Sequence, residues 1–441
     1  MRRLPFVIML FAAACGGSDS NSAPKVDANA ASFDLLRTQV LEPSCGSCHG
    51  TSNPNGALTL VGSGAYDAVV GKTPDNQNAR LDGMKVVLPG KPDSSLLYTK
   101  LIFAPGHTGA DYGNTMPQGL PSLSVGQIEF VRAWIAAGAP RTGSVADARL
   151  LQDHTVPTTV PFAALTPPPA GQGYQLHVDQ FSVKANFERE LFQYRPLENA
   201  KSVFVTRIQT ALRPFSHHFV LYTFATGTPP LFLPPNNTQR DIRNADGSMN
   251  IGNMLPMAYH VFFGGSMQQL SDYSFPAGVA LRLPPGTGID LNLHYANRTT
   301  GDVPGEGYAN IYTADTSQVQ FVAEPLNFAN TNFTLPPNQR TTVEKTFIVQ
   351  KHTTVFYLTS HMHMLGEKFV IKIVGGARDG ETVYESSDWE HPAMLALKVP
   401  IVLEKGQGLK SVITWNNTTG STVSFGLKST DEMGIIFGYA Y

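Results

Sequence analysis

Three short stretches of this chain hold side chains whose types and spacing could do chemistry. "PSCGSCHG" places Cys45, Cys48 and His49 in a C-x-x-C-H arrangement. That is the spacing at which two cysteines form thioethers with haem vinyl groups and the adjacent imidazole sits under the iron. "FSHHFVLY" sets His217 beside His218, and "TSHMHMLGEK" puts His361, Met362, His363 and Met364 in four consecutive positions. On a strand, alternate side chains share a face, so His361 and His363 project together, while Met362 and Met364 point the other way as packing residues. Two imidazoles do not complete a coordination sphere, so this pair needs a third ligand from elsewhere. Adjacent His217 and His218 diverge on a regular strand and can share a metal only at a bulge or a strand end. His294, at the end of the alternating stretch "DLNLHYAN", is a further candidate. Imidazoles suit copper, zinc and iron alike, so they leave the metal open.

The elements that must position these groups fall into two kinds. Around the cysteines the pattern is helical. "SFDLLRTQVLEPSC" reads as a short amphipathic helix with Phe33, Leu36 and Val40 on one face. "PDSSLLYTKL" reads as a second helix, and "SLSVGQIEFVRAWIAAGAP" as a third, with Ser124 and Gln127 as a capping box and Gly138 and Pro140 as stop signals. Between the last two, "GNTMPQGLP" carries Met116 in a loop. This layout resembles exported bacterial cytochrome c domains in which a Met-Pro loop supplies the axial thioether; His107 is the rival ligand. A His/Met pair raises the haem potential and suits electron transfer. A redox-active disulfide and half a zinc site are the other readings of Cys45 and Cys48, but His49 follows directly and no second cysteine pair exists. A Pro-rich connector, 143–173, then closes a haem unit spanning 31–142.

Beyond residue 173 the chain turns into short β-branched and aromatic runs separated by turn residues, which predicts antiparallel sandwiches or jelly rolls. The fold class expected is therefore multidomain: a small all-α cytochrome c unit followed by two β-sandwiches, 174–325 and 326–441. The whole chain has 441 residues, 42% of them hydrophobic and 15% charged, with net charge −2. No basic excess exists to neutralise phosphates, so nucleic acid is not an expected partner. At the N-terminus, "MRRLPFVIMLFAAACGG" has a basic start and an apolar run too short to span a bilayer. It reads as a lipoprotein signal over 1–15 with Cys15 the lipidated residue, then a flexible linker over 16–30; an ordinary secretory signal is the alternative. Either implies export to the periplasm or cell surface, with the lipid form anchored to a membrane.

Four motifs in order, "FSHHFVLYTF", "FPAGVALRLPPGTGIDLNLHYAN", "SHMHMLGEK" and "STDEMGIIFGYAY", together resemble the copper type II, ascorbate-dependent monooxygenases, the family of peptidylglycine and dopamine hydroxylating enzymes. The resemblance covers residues 174 to 441. It implies two jelly rolls with one copper each, facing across a cleft. Matched position by position, His217, His218 and His294 would hold the first copper, and His361, His363 and Met433 the second, catalytic one. A thioether ligand stabilises Cu(I), the state that meets O2, and zinc seldom takes one. The activity implied is hydroxylation of a C–H bond in a small organic substrate, with two electrons per turnover. Those electrons would come from an ascorbate-like reductant or another cytochrome, relayed through this chain's own covalently bound haem c. Where the peptidylglycine enzyme binds a substrate carboxylate, this chain has Thr359, Ile435 and Phe437. None of them pairs with a carboxylate as arginine does, so a neutral or apolar substrate is expected. Two rival expectations stand beside this one: an exported haem and copper protein that transfers electrons or holds copper without catalysis, and a zinc-binding sandwich. His177, His260, His352 and His391 are read as structural, and Trp134, Trp389 and Trp415 as core.

Overall fold

In the computed structural model the described residues are 29–52, 54–102, 112–157, 162–426 and 431–441. Cys15, with the signal and lipidation reading attached to it, and His107 lie outside them. Residues 32–45 form one continuous helical segment with a wider turn over Arg37–Leu41. Phe33, Leu36 and Val40 are buried along it, as their spacing requires. The segment expected as a second helix is shorter, a single turn at Leu96–Thr99 after a tight turn at Pro92–Ser94. Proline at its start and Ser95 in an extended conformation limit it. The longest uninterrupted α-helix among the described residues is Val125–Ala136, capped by reciprocal Ser124 and Gln127 hydrogen bonds. The expected small all-α unit is therefore not what the structure shows: its helices are mostly single turns, and loops hold much of this first part together. Its core centres on Phe33, Leu36, Phe130, Trp134 and Ile135. Ala146, Ala148 and Leu151 are buried in the same core, so the segment expected as connector begins inside the first unit. No described helix is long and apolar enough to cross a membrane.

The remainder is β-sheet. Ten strands make the first part: β1 (Gly173–Val183), β2 (Phe187–Pro196), β3 (Val203–Leu212), β4 (Ser216–Phe224), β5 (Gln239–Asp241), β6 (His260–Ser266), β7 (Leu270–Ser274), β8 (Val279–Leu283), β9 (Gly288–Asn297) and β10 (Val303–Ala314). Ten make the second: β11 (Phe321–Ala329), β12 (Thr334–Leu335), β13 (Gln339–Ile348), β14 (Thr353–His361), β15 (Gly366–Val374), β16 (Thr382–Ser386), β17 (Leu395–Leu403), β18 (Gly408–Asn417), β19 (Val423–Ser424) and β20 (Ile435–Ala440). A five-stranded sheet, β5-β2-β9-β4-β6, and a four-stranded sheet, β13-β18-β15-β16, flank a nine-stranded sheet running β1-β10-β3-β8-β11-β20-β14-β17, with β7 also on β3. The long sheet passes from one half to the other where β8 and β11 pair in parallel, Phe321 opposite Val279. Two cores lie in these halves, one around Ile208, Phe219, Leu291 and Tyr295 and one around Phe369, Ile371, Ile413 and Trp415. Phe356, Tyr357 and Tyr439 of the second half belong to the first core. One sheet is thus continuous through both halves, with aromatic side chains crossing the join; β14 lies in it, while β4 and β9 lie in the five-stranded sheet of the first half.

Candidate metal and haem centres

His217 and His218 start β4, and the pairing with β9 slips by one residue between Ser216 and His218, the bulge that adjacent histidines need. His218 then sits directly opposite His294 on β9. Along β9, Leu291, Leu293 and Tyr295 enter the core, so Asn292 and His294 share the opposite face. His217, His218 and His294 each offer a ligand nitrogen, and these lie within 4.8 Å of one another. The Nδ1 atoms of His217 and His218 face each other at 3.2 Å. Two nitrogens on one metal at about 2.0–2.1 Å stand about 3 Å apart, so the spacing fits a shared ion. His218 Nε2 donates to Asn292 Oδ1 at 2.8 Å, which leaves Nδ1 as the free lone pair. His294 Nε2 is buried with no hydrogen bond, the nearest carboxylate being Glu188 at 3.6 Å. Burial and the repulsion of His294, His218, His391 and His361 hold the His217 imidazole well below its ordinary range, so it is neutral, as a ligand must be. Burial pushes the Glu190 carboxyl up, but His294, His218 and Asn292 outweigh it and hold it at about 2. An anionic carboxylate behind two of the three imidazoles is a feature of metal-bound histidines.

The second cluster forms where β14 ends. The rings of His361 and His363 are 5.1 Å apart and nearly perpendicular. Met362 is buried in the core beneath them. Met364 departs from the sequence reading: the strand has ended at His361, and this side chain is 46% exposed in the following turn. Strand β20 runs beside β14 with His361 opposite Ile435, two residues after Met433 in the chain. The fully buried Glu432 locks this arrangement. Its carboxylate accepts from His363 N–H at 2.9 Å, Leu365 N–H at 2.7 Å and Trp415 Nε1–H at 2.7 Å. His363 Nδ1 reaches Asp431 O at 2.9 Å. Burial, with repulsion from His363 and His218, takes His361 down to about 3. Beside His361 lies Phe437, 6.2 Å away between ring centres, itself against Phe262 at 5.1 Å. Phe437 is paired across the ladder with Thr359, so the wall here is apolar.

The C-x-x-C-H segment ends the first helical stretch. Cys45, Cys48, His49 and Met116 all line one cavity of about 250 Å³, together with apolar Leu58, Leu60, Val86 and Leu97. His49 Nδ1 donates to Leu58 O at 3.1 Å, which fixes the tautomer and leaves Nε2 free. Burial lowers the His49 imidazole and pushes the Cys45 thiol, here a free sulfhydryl where a haem thioether would be, up to about 11. An apolar crevice with two thiols, a neutral imidazole and a thioether fits a covalently attached haem.

His391 and Glu390 were missed in the sequence, where His391 reads as structural. With His217 they form another group of donors within 4.8 Å. The only signal was "DWEH", in which Asp388 Oδ1 accepts from the N–H groups of Glu390 and His391 and holds the loop after β16 in shape. The other three histidines do serve structure among the described residues. His260 and Arg240 both bond the buried Asp290, His177 bonds Glu306, and His352 bonds Glu404 at the surface.

No protein-family model and no curated protein matches this chain. Among solved structures, the chain is similar to the STIV MCP (11% identity, 61% of this chain and 97% of that one, TM-score 0.28). It is also similar to the major capsid protein P2 from Bacteriophage PM2 (10% identity, 58% and 97%, TM-score 0.26). A third is PNGase F, a glycosylasparaginase from Flavobacterium meningosepticum (9% identity, 60% and 96%, TM-score 0.26). At these scores the likenesses carry no argument.

Proposed function

We propose that this chain is a copper-dependent monooxygenase that hydroxylates a C–H bond of a neutral or apolar substrate with O2, its electrons relayed through its own c-type haem. On this reading the first unit is a small cytochrome c-like domain, and the two β halves are jelly rolls of the copper type II, ascorbate-dependent monooxygenase kind. The observation that carries it is the presence of two unlike donor clusters, three imidazoles converging in one and two at the end of β14 in the other, where Asp431 and Glu432, just before Met433 in the chain, bond His363. When bound, the two copper ions would supply one-electron chemistry and dioxygen activation, and the haem one-electron storage. His217, His218 and His294 would hold the first ion; His361, His363 and Met433 the second; Cys45, Cys48, His49 and Met116 the haem.

The chain's own residues do the rest. Asn292 orients His218, and Glu432 sets the turn that carries His363 against the Met433 segment. Phe437 and Phe262 present an apolar surface beside His361, which would exclude water and favour an uncharged substrate. The reading also implies an external one-electron donor and an exported chain.

A second reading is favoured by the direct contact between the haem crevice and the first cluster: an electron-transfer protein without oxygenase activity, for which Met433 has no task. Copper-loaded protein, reduced without oxygen and then mixed with O2, separates the two. Haem reoxidation that needs copper and vanishes in Met433→Ala, with product carrying one atom from O2, supports the monooxygenase. Haem reoxidation indifferent to Met433 would sink it and leave electron transfer.

A further inference from the structure

The haem crevice does not face solvent alone. A second cavity, about 50 Å³, is shared by Cys48, His49 and Met116 on one side and by His217, Glu390 and His391 on the other. Two chains of contact cross it. Gln118, two residues after Met116, donates from its amide nitrogen to Ser216 O at 3.3 Å and meets His391 Nε2 at 2.7 Å. Ser216 is covalently joined to His217, so Met116 and His217 are connected by backbone and a single hydrogen bond. The second chain starts at Cys48 Sγ, which accepts from Arg298 Nη1 at 3.4 Å. Arg298 Nη2 reaches Glu390 Oε1 at 3.4 Å, and that oxygen lies 3.7 Å from His217 Nε2. Asn55, from the haem-motif loop, donates to the other Glu390 oxygen at 2.9 Å.

The first unit is held in this position by bonds well away from the cavity. Asn114 Nδ2 donates to Met267 O and Asn114 Oδ1 accepts from Gln269 N–H, on the turn after β6. Gln77, Asn78 and Arg80 donate to the carbonyls of Val383, Met394 and Glu385, and Asp75 accepts from Ser387 N–H. Side chains that seek backbone groups of both β halves define a docked orientation, which a Pro-rich tether alone would not. The edge presented by this docking is the one bearing Cys48 and Met116.

We infer that Gln118 and His391 form the junction through which electrons pass from the haem crevice to the three-histidine cluster, so that electrons from the haem reach the copper clusters at His217 and not at His361 and His363. This rests on the functional reading above. The step balances simply: a one-electron reductant, ascorbate or a reduced cytochrome, reduces ferric haem; the ferrous haem then gives one electron to Cu(II), leaving ferric haem and Cu(I). No bond to a protein atom is made or broken. Gln118 and His391 are positioning residues, acting through Ser216 and His217.

The test uses the whole chain with haem and copper, both oxidised and kept without oxygen. A photogenerated flavin semiquinone reduces the haem in a flash, and the haem band and the Cu(II) electron paramagnetic resonance signal are followed. Haem reoxidation at a rate independent of protein concentration, matched by loss of Cu(II) signal, is expected in the wild type. Gln118→Leu and His391→Phe should slow it about tenfold each, the scale of one hydrogen bond in a docked equilibrium. Haem content and the haem potential should stay at wild-type values in both variants, as should copper content in Gln118→Leu, and a folding defect would move those. His361→Ala should leave the transfer rate unchanged. Transfer indifferent to both junction variants, or abolished by His361→Ala, would overturn the junction while leaving the functional reading standing. Absence of haem, or of a histidine-ligated Cu(II) signal, in the wild type would instead bring down the functional reading on which it rests.

Discussion

Replacing Glu432 by alanine should disable the second cluster and spare the first. The carboxylate is fully buried and accepts from the N–H groups of His363, Leu365 and Trp415. A buried donor left without an acceptor costs about 1–3 kcal/mol. Burial raises the Glu432 carboxyl to about 7, so removing it returns part of a desolvation cost, and a water can enter the space vacated; the net loss should be about 3–5 kcal/mol. The Glu432→Gln variant keeps the volume and one acceptor oxygen and should lose about 1–2 kcal/mol. Two of the three donors lie in the turn that carries His363, so the turn should loosen and the affinity of this cluster for Cu(I) fall about 10–100-fold. The three-histidine cluster shares no hydrogen bond with Glu432 and should titrate as in the wild type. Urea unfolding gives the stability, and competition against a Cu(I) chelator resolves the two affinities. Wild-type affinity at His361 and His363 in Glu432→Ala, or an equal loss at both clusters, would refute the idea that Glu432 assembles one site in particular.

Two further outcomes are expected. Asn292→Leu removes the acceptor for His218 Nε2–H and should weaken copper at the first cluster at least about tenfold while leaving the second intact, read in the same competition titration. Burial pushes the Glu306 carboxyl up, but Arg213, His177 and Tyr308 outweigh it and hold it below its ordinary value of 4.5. Its contribution to stability is therefore complete above about pH 4.5 and lost as the pH falls through the depressed folded value; urea midpoints measured across the acid range should show a shallower decline in Glu306→Gln, and an unchanged slope would count against this ion pair.

What could be read from the sequence was what depends on neighbours in the chain. The bulge at His217 is demanded by two adjacent imidazoles that must converge, and the alternation of "DLNLHYAN" sets His294 on the face away from the core. The capping box of Val125–Ala136 is a four-residue signal and is present. What could not be read depends on contacts between distant segments. Gln118 and His391 are 273 positions apart, and neither lies in a periodic pattern. Their meeting follows from docking bonds made by Asn114, Gln77 and Asp75, polar loop residues whose partners are mostly backbone groups and so leave no complementary side chain to find. Ala146 to Leu151 were assigned to a connector because prolines follow them closely; burial against Val125–Ala136 decides otherwise. Gly126 shows how tight that packing is, since a Cβ there would overlap Leu150 O.

The chain joins its two β halves without a disulfide among the described residues, where Cys45 and Cys48 are free. Covalent bracing is replaced by one continuous sheet and a buried aromatic seam. Tyr439 stacks with Tyr273 and Phe356, its hydroxyl meets that of Tyr273 at 3.2 Å, and it donates to Phe263 O at 3.0 Å. A seam that pairs apolar rings with satisfied hydroxyls resists sliding as well as opening, because any shift strands buried polar atoms. Halves in one chain otherwise move by default when their interface is polar and small. Here Tyr439 is on β20, the strand that leads out of Met433, and Phe263 is on β6, the partner of the strand that begins at His217. The seam therefore ties a strand that follows Met433 to the strand that pairs with β4. On the proposed function, electrons would cross the gap between the clusters, and with Gln118 and His391 in contact beside His217 the flow would run from the haem crevice through the three-histidine cluster toward His361, His363 and Met433.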